Sequence, residues 1–181
     1  MLVRATTDGL ESVFVPVVVS DDHRTLLTHV ARANRWWRSL NDGDAVLAIF
    51  LAASAYVSPT NYPSRLEKPG VVPTWNYVAA EVRGTLTVHD DPQWLARQVR
   101  MVTGHFEEGR TPEWRVEDAP AAYVDQQLKA IVGIEIEVRS VQGKAKLSQN
   151  RPDVDHDAVR ENLSLGTLSE RIVAARMNRD E

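Results

Sequence analysis

Five consecutive residues, Pro73, Thr74, Trp75, Asn76 and Tyr77, place two hydrogen-bonding side chains between large rings, in a segment from Val71 to Gly84 that carries no charge before Glu81. A strand buried in a core is built from β-branched and aromatic residues and does not need a Thr and an Asn there. Two readings follow from the chemistry. In one, Thr74 and Asn76 hold polar groups beside a flat ligand such as a bound ring system, with apolar neighbours as its walls. In the other, Trp75 and Tyr77 plug a barrel end while Thr74 and Asn76 satisfy nearby backbone.

The remaining inventory narrows the chemistry. With no cysteine in the chain there is no disulfide, thiolate nucleophile or zinc–thiolate site. His23, His29, His89, His105 and His156 are scattered without short ligand spacing, so no metal site is expected. GxGxxG, GxxxxGK[ST] and GxSxG are absent, which sets aside dinucleotide folds, P-loops and nucleophile elbows. No residue stands out as a catalytic acid or base. His29 comes nearest, because imidazole titrates in the range that suits proton transfer, and an anchoring role fits it equally well.

The 181 residues suit one domain with one sizeable core, and 43% apolar with 25% charged residues argues against disorder. A net charge of −4 leaves no electrostatic footprint for nucleic acid. DNA contact would rest on Arg171, Arg176 and Arg179 of the tail, a local stripe that reads equally as a solvated helix face. The start MLVRATTDGLE shows no signal-peptide pattern, and the apolar stretch around Ala45 to Ala55 is too short to span a bilayer. A cytoplasmic chain with no membrane association is expected.

The elements that would carry these residues are mostly strands. Alternation over Leu2 to Ala5, Ser12 to Val19 and Thr25 to Val30, with turns at Thr7-Asp8-Gly9 and Ser20-Asp21-Asp22, reads as a meander. Asn34 caps a short helix to Leu40. Strands then follow at Ala45 to Phe50 and Ala55 to Val57, and a proline-rich loop from Ser58 to Gly70 is placed to wall a site. Ala80, Val82, Gly84, Leu86 and Val88 face one way and Glu81, Arg83, Thr85 and Thr87 the other, a strand with one wet face. Asp91-Pro92 opens a helix with an apolar stripe at Leu95, Val99, Val102 and Phe106. A second helix begins near Asp118-Ala119-Pro120 and runs through Tyr123, Val124, Leu128 and Ile131, until Gly133 breaks into the strand Ile134, Ile136, Val138. Glu135 and Glu137, on the opposite face, read as solvated. Two tail helices are expected at Asp155 to Leu163 and Thr167 to Met177. The class is mainly β with added helices, a closed or partly split β-barrel.

With these elements in place, HVARANRWW, AYVSP followed by NYPS, VVPTWNYVA, DDPQWL, AIVGIEIEV and GKAKLSQNRP together resemble the PaiB-type family of FMN-binding negative transcriptional regulators. The blocks keep the family's order and spacing over nearly the whole chain. The resemblance implies a split β-barrel related to pyridoxamine phosphate oxidase, usually a homodimer with flavin sites at the subunit interface. It implies residues 1–150 as the flavin-binding barrel and 151–181 as a helical extension of the same domain.

Under that resemblance His29 to Asn34 becomes a strand end running into a helix start, where a guanidinium and free N–H groups can hold an anion. Arg32 is then the expected ligand of the FMN phosphate, aided by Asn34 and His29. Ser58, Thr74 and Asn76 are expected to meet the isoalloxazine edge or ribityl chain, and Lys146 and Gln149 to reach a partner subunit's cofactor or close the barrel mouth. Without the resemblance, Arg32 reads as a surface ion pair and Asn34 as a plain cap.

The chain departs from the family at Val13-Phe14, Ser54, Asn61 and Ala145, where the family has a Thr-His pair, His, Trp and Trp. It also opens almost directly on a strand at Leu2, where the family has a helical segment, implying a truncated start or a variant without that element. The replacements are consistent with weaker flavin binding, with a pocket enlarged for a cofactor such as a deazaflavin, or with a dimer that has lost its cofactor. Two function classes follow: a flavin-binding repressor, or a flavin-dependent oxidoreductase acting on a small molecule.

Overall fold

Alternation dictates the strands of this protein, and in the computed structural model, which describes residues 1–178, seven form: β1 (Leu2–Thr6), β2 (Gly9–Val13), β3 (Val18–Val19), β4 (Thr25–Ala31), β5 (Ala45–Val57), β6 (Thr74–His89) and β7 (Ile131–Lys146). They form one sheet in the order β2-β1-β5-β6-β7-β4-β3. Four α-helices accompany it: α1 (Pro92–Glu107), α2 (Ala121–Leu128), α3 (Asp153–Ser164) and α4 (Leu168–Ala175). The fold is mainly β with added helices, as the sequence leads one to expect. No helix among the described residues is long and apolar enough to cross a membrane.

The chain divides into two compact units, Met1–Ala48 with Val82–Val141, and Ile49–Glu81 with the described residues from Gln142 on. Strands β5, β6 and β7 each contribute residues to both.

In the first unit β4 pairs antiparallel with β7, from Thr25 opposite Glu137 to Ala31 opposite Ile131. This register puts Leu26, Thr28 and Val30 on the same buried side as Ile136, Ile134 and Val132. The Thr28 hydroxyl is satisfied there by donating to the Pro16 carbonyl, 2.6 Å away. Helix α1 starts as expected, with the Asp91 carboxylate accepting from the backbone N–H groups of Gln93 and Trp94. Trp94 lies over Gly133, where a β-carbon would collide with the indole, and stacks on His89 at 4.0 Å. Gly133 is thus the floor of a ring contact inside β7 rather than a helix breaker, and Ile131 belongs to the strand rather than to the α2 stripe.

Two other expectations are redrawn. The strand expected over Ser12 to Val19 stops at Val13 and resumes for two residues only, since Pro16 has no N–H to give a ladder. The two strands expected between Ala45 and Val57 are one strand of 13 residues, because nothing in Leu51 to Ser54 breaks it.

In the second unit the tail helices share a core with β5. Ala53, Ala55 and Val57 pack with Tyr62, Val159, Leu163 and Val173. Tyr62, in the proline-rich loop, is completely buried under the Arg151 guanidinium, which lies 4.4 Å from its ring centroid. The loop therefore contributes to the core as well as to the surface. Its backbone forms two short 3-10 turns, Pro59–Asn61 and Pro63–Leu66. The second is tied to α3 by Ser64, whose N–H and hydroxyl both donate to the buried Asp155 carboxylate at 3.0 and 2.6 Å.

Candidate functional site

The first unit holds three of the expected residues, at the end of β4. Arg32 uses most of its donors within the chain. Its Nε donates to the Lys129 carbonyl at 2.8 Å, one terminal nitrogen donates to the Ile131 carbonyl at 3.0 Å, and both terminal nitrogens meet the Asp90 carboxylate. The fork-to-fork geometry matches guanidinium to carboxylate. The hydrogen bond from Arg32 holds the Asp90 carboxyl below its usual range, and the same bond raises the Arg32 pKa. Arg32 also borders a cavity of about 470 Å³ with Leu95, Asp125 and Lys129.

Asn34 acts as a cap, its side-chain oxygen accepting from the Trp36 N–H at 3.0 Å. His29 lies on the α1 side of β4, with Nδ1 3.0 Å from the Gln98 side-chain oxygen. The strand end thus brings Arg32 and Asn34 together, but the short helix expected after Asn34 is a five-residue 3-10 turn, Arg35–Ser39, and the ion pair and the cap are already made. Glu135, expected to be solvated, lies 3.0 Å from the His89 ring.

The second unit holds the other five. The opening of β6 splits its polar pair between two tasks. Asn76 is fully buried, accepting from the Ser148 hydroxyl at 3.1 Å and directing its amide at the Met177 sulfur. It positions the turn after β7. Thr74 accepts from the Lys146 ammonium at 2.6 Å, at an exposed strand end. Trp75 is exposed and makes an edge contact with Tyr56, ring centroids 6.0 Å apart, so it plugs no core. Ser58 caps the first 3-10 turn through the Thr60 N–H. Gln149 closes its own turn, accepting from the Leu147 N–H and donating to the Ala145 carbonyl, each at 2.8 Å.

Sequence reasoning missed the importance of Ser148. Its φ of 62° is a left-handed value uncommon for a non-glycine residue, and in that conformation its hydroxyl donates to the buried Asn76 side chain. A positive φ at a serine leaves no mark in the sequence. Beside this turn is a cavity of about 810 Å³ with apolar walls from Ala53, Val78, Leu147 and Met177 and polar groups from Gln149, His156 and Arg176. Ala145, one of the departures, lines it too.

Apolar walls with a few placed amide and cationic groups are the donor set that an isoalloxazine ring with a phosphate tail requires, so the residues of the second unit fit a flavin. The other departures have found new partners or solvent. The Ser54 N–H and carbonyl both bond the Ser169 hydroxyl, Asn61 donates to Asn162 at 3.1 Å, and Phe14 is 81% exposed.

Comparison with known proteins agrees with this chemistry. Residues 1–140 match the family model described as "Putative FMN-binding domain". The chain is 33% identical over 143 residues to Protease synthase and sporulation protein PAI 2 of Bacillus subtilis, covering 79% of this chain and 66% of that protein. It is 34% identical over 148 residues to an uncharacterized protein of Emericella nidulans, covering 75% and 59%. The chain thus spans less than two thirds of the length of these relatives.

Among solved structures, the FAD and heme binding protein of Mycobacterium smegmatis superposes with a TM-score of 0.57 at 19% identity, covering 87% of this chain and 70% of that one. The flavocytochrome Anf3 of Azotobacter vinelandii gives 0.55 at 14%, covering 87% and 66%. These two likenesses show the fold, a split β-barrel with added helices. The match over most of its length places the chain in the FMN-binding domain family, and its cofactor is FMN or a related flavin.

Proposed function

We propose that the chain works as a homodimer that holds its flavin beside the start of β6 and the end of β7 in the second unit, and that it serves as a regulatory protein of the PaiB type rather than as an enzyme. The observation that carries the placement is Lys146. Its ammonium is anchored by Thr74, has no carboxylate partner among the described residues, and sits on an exposed strand end. A cation so placed can meet a phosphate without breaking an existing ion pair, whereas Arg32 would first have to leave Asp90. Thr74, Lys146 and Gln149 would hold the cofactor, with the Asn76–Ser148 bond fixing the turn between them. When bound, the flavin supplies redox chemistry of its own.

Support for a dimer comes from exposure. All eight residues from Arg139 to Lys146 are exposed although β7 lies inside the sheet order, and Leu51, Tyr56 and Trp75 of the second unit are exposed apolar side chains. Such a surface is suited to burial against a second copy. Support for a regulatory role comes from the 33% identity to Protease synthase and sporulation protein PAI 2 of Bacillus subtilis. Of the tail arginines offered for DNA contact, Arg176 borders the cavity of the second unit, and Arg179 lies outside the described residues.

The test pairs FMN titration, read by flavin fluorescence, with gel shifts against DNA upstream of the gene with and without FMN. FMN-sensitive, sequence-selective retardation is expected. Retardation that is only salt-sensitive and sequence-indifferent, together with steady flavin turnover on an added reductant, would contradict the regulatory reading.

A further inference from the structure

We propose that the first unit carries a second small-molecule site, separate from the flavin, that takes a single aromatic ring bearing a hydroxyl or amino group. The site is a cavity of about 260 Å³ walled by Val99, Val116, Val124 and Ile131 and by the rings of Trp114 and Tyr123, with the His29 imidazole also lining it. An apolar cavity of about 150 Å³ accepts benzene, so this one has room for a ring and a substituent. Trp114 and Tyr123 are about half exposed, at 48% and 56%, which leaves their rings accessible to an aromatic ligand.

The polar handle is defined by its partner. Gln98 is 3% exposed and its side-chain oxygen lies 3.0 Å from His29 Nδ1, a contact in which Nδ1 is the donor, and in that tautomer Nε2 is left as an acceptor. Nε2 has no partner within the described chain. The Gln98 Nε2 amide is buried without a partner as well. A structure that needed only packing here would place an apolar residue at Gln98, whereas orienting an imidazole requires the amide. An imidazole acceptor in an apolar recess selects a ligand that donates one hydrogen bond, which a phenol or an aniline does and toluene does not.

The inference is independent of the flavin reading. Its test titrates phenol, aniline and toluene into protein with 13C-labelled histidine, following the His29 ring resonance. Saturable shifts are expected for phenol and aniline, with toluene about tenfold weaker or worse. Val124→Trp and Ala119→Phe, which fill the cavity from α2 and from the loop before it, are each expected to weaken phenol binding by at least about tenfold while the thermal melt stays native-like. If Val124→Trp unfolds the protein, Ala119→Phe decides. Equal affinity for toluene and phenol, a stationary His29 resonance at saturating phenol, or undiminished phenol binding in a folded filled variant would overturn the proposal.

Discussion

Arg32 shows how far a residue's type can be read before its neighbours are known. A guanidinium at a strand end before a helix start is legible as an anion site, but Asp90 lies 58 positions away in sequence and nothing local announces that it will take the fork. The pair makes two separable forecasts. Because Asp90 is depressed in the folded state, its contribution is present above the carboxylate's unfolded pKa of about 4 and is lost as pH falls through the lower folded value. With side-chain exposures of 35% and 59%, the pair contributes no more than about 1 kcal/mol. Asp90→Asn is therefore expected to lower Tm by no more than about 4 °C at pH 7, a difference that closes in melts taken at pH values below the depressed folded pKa of Asp90. The same variant frees Arg32. If Lys146 meets the phosphate, FMN affinity stays within about twofold of native in Asp90→Asn, whereas a rise of about tenfold would move the phosphate to Arg32.

At the scale of elements, sequence periodicity was sufficient where one face is buried. The alternation over Ala80 to Val88 places Val82, Gly84 and Leu86 inside, and Asp91-Pro92 starts α1 where it should. It failed where a single backbone feature overrides the pattern, as at Pro16, or where a small residue serves a neighbour rather than its own strand. Gly133, under the Trp94 ring, is such a residue. Gly84 keeps its place in the alternation and is held to glycine in the same way, since a β-carbon there would strike the Glu137 carbonyl and the Ile136 side chain. A backbone oxygen in a central strand cannot step aside. Gly84→Ala is expected to cost about 1–3 kcal/mol or more in chemical denaturation. Gly104→Ala, on α1 with open space around it, should be neutral to stabilising by up to about 1 kcal/mol. Equal effects at the two glycines would mean that the β6–β7 approach is looser than described.

For the whole molecule, the fold and the cofactor class were legible through the family resemblance carried by strings such as VVPTWNY and KLSQNRP. The division of labour inside them was not. Asn76 turned inward to hold Ser148 and Thr74 met Lys146; the two share a strand face, but Thr74 is the first residue of β6 and is left partly exposed, whereas Asn76, two residues further in, is buried. If a second copy covers the exposed end of β7, Trp75→Glu should yield a monomer by light scattering and weaken FMN binding in parallel. A dimer that persists in Trp75→Glu would place the interface elsewhere.

The central claim, a flavin held at the Thr74–Lys146 end of the second unit, meets its most direct test in an FMN titration of native protein and Lys146→Ala followed by flavin fluorescence. Saturable quenching by the native protein is predicted, with an affinity reduced at least about tenfold in a variant that melts like the native one. Equal quenching by both proteins would contradict the account.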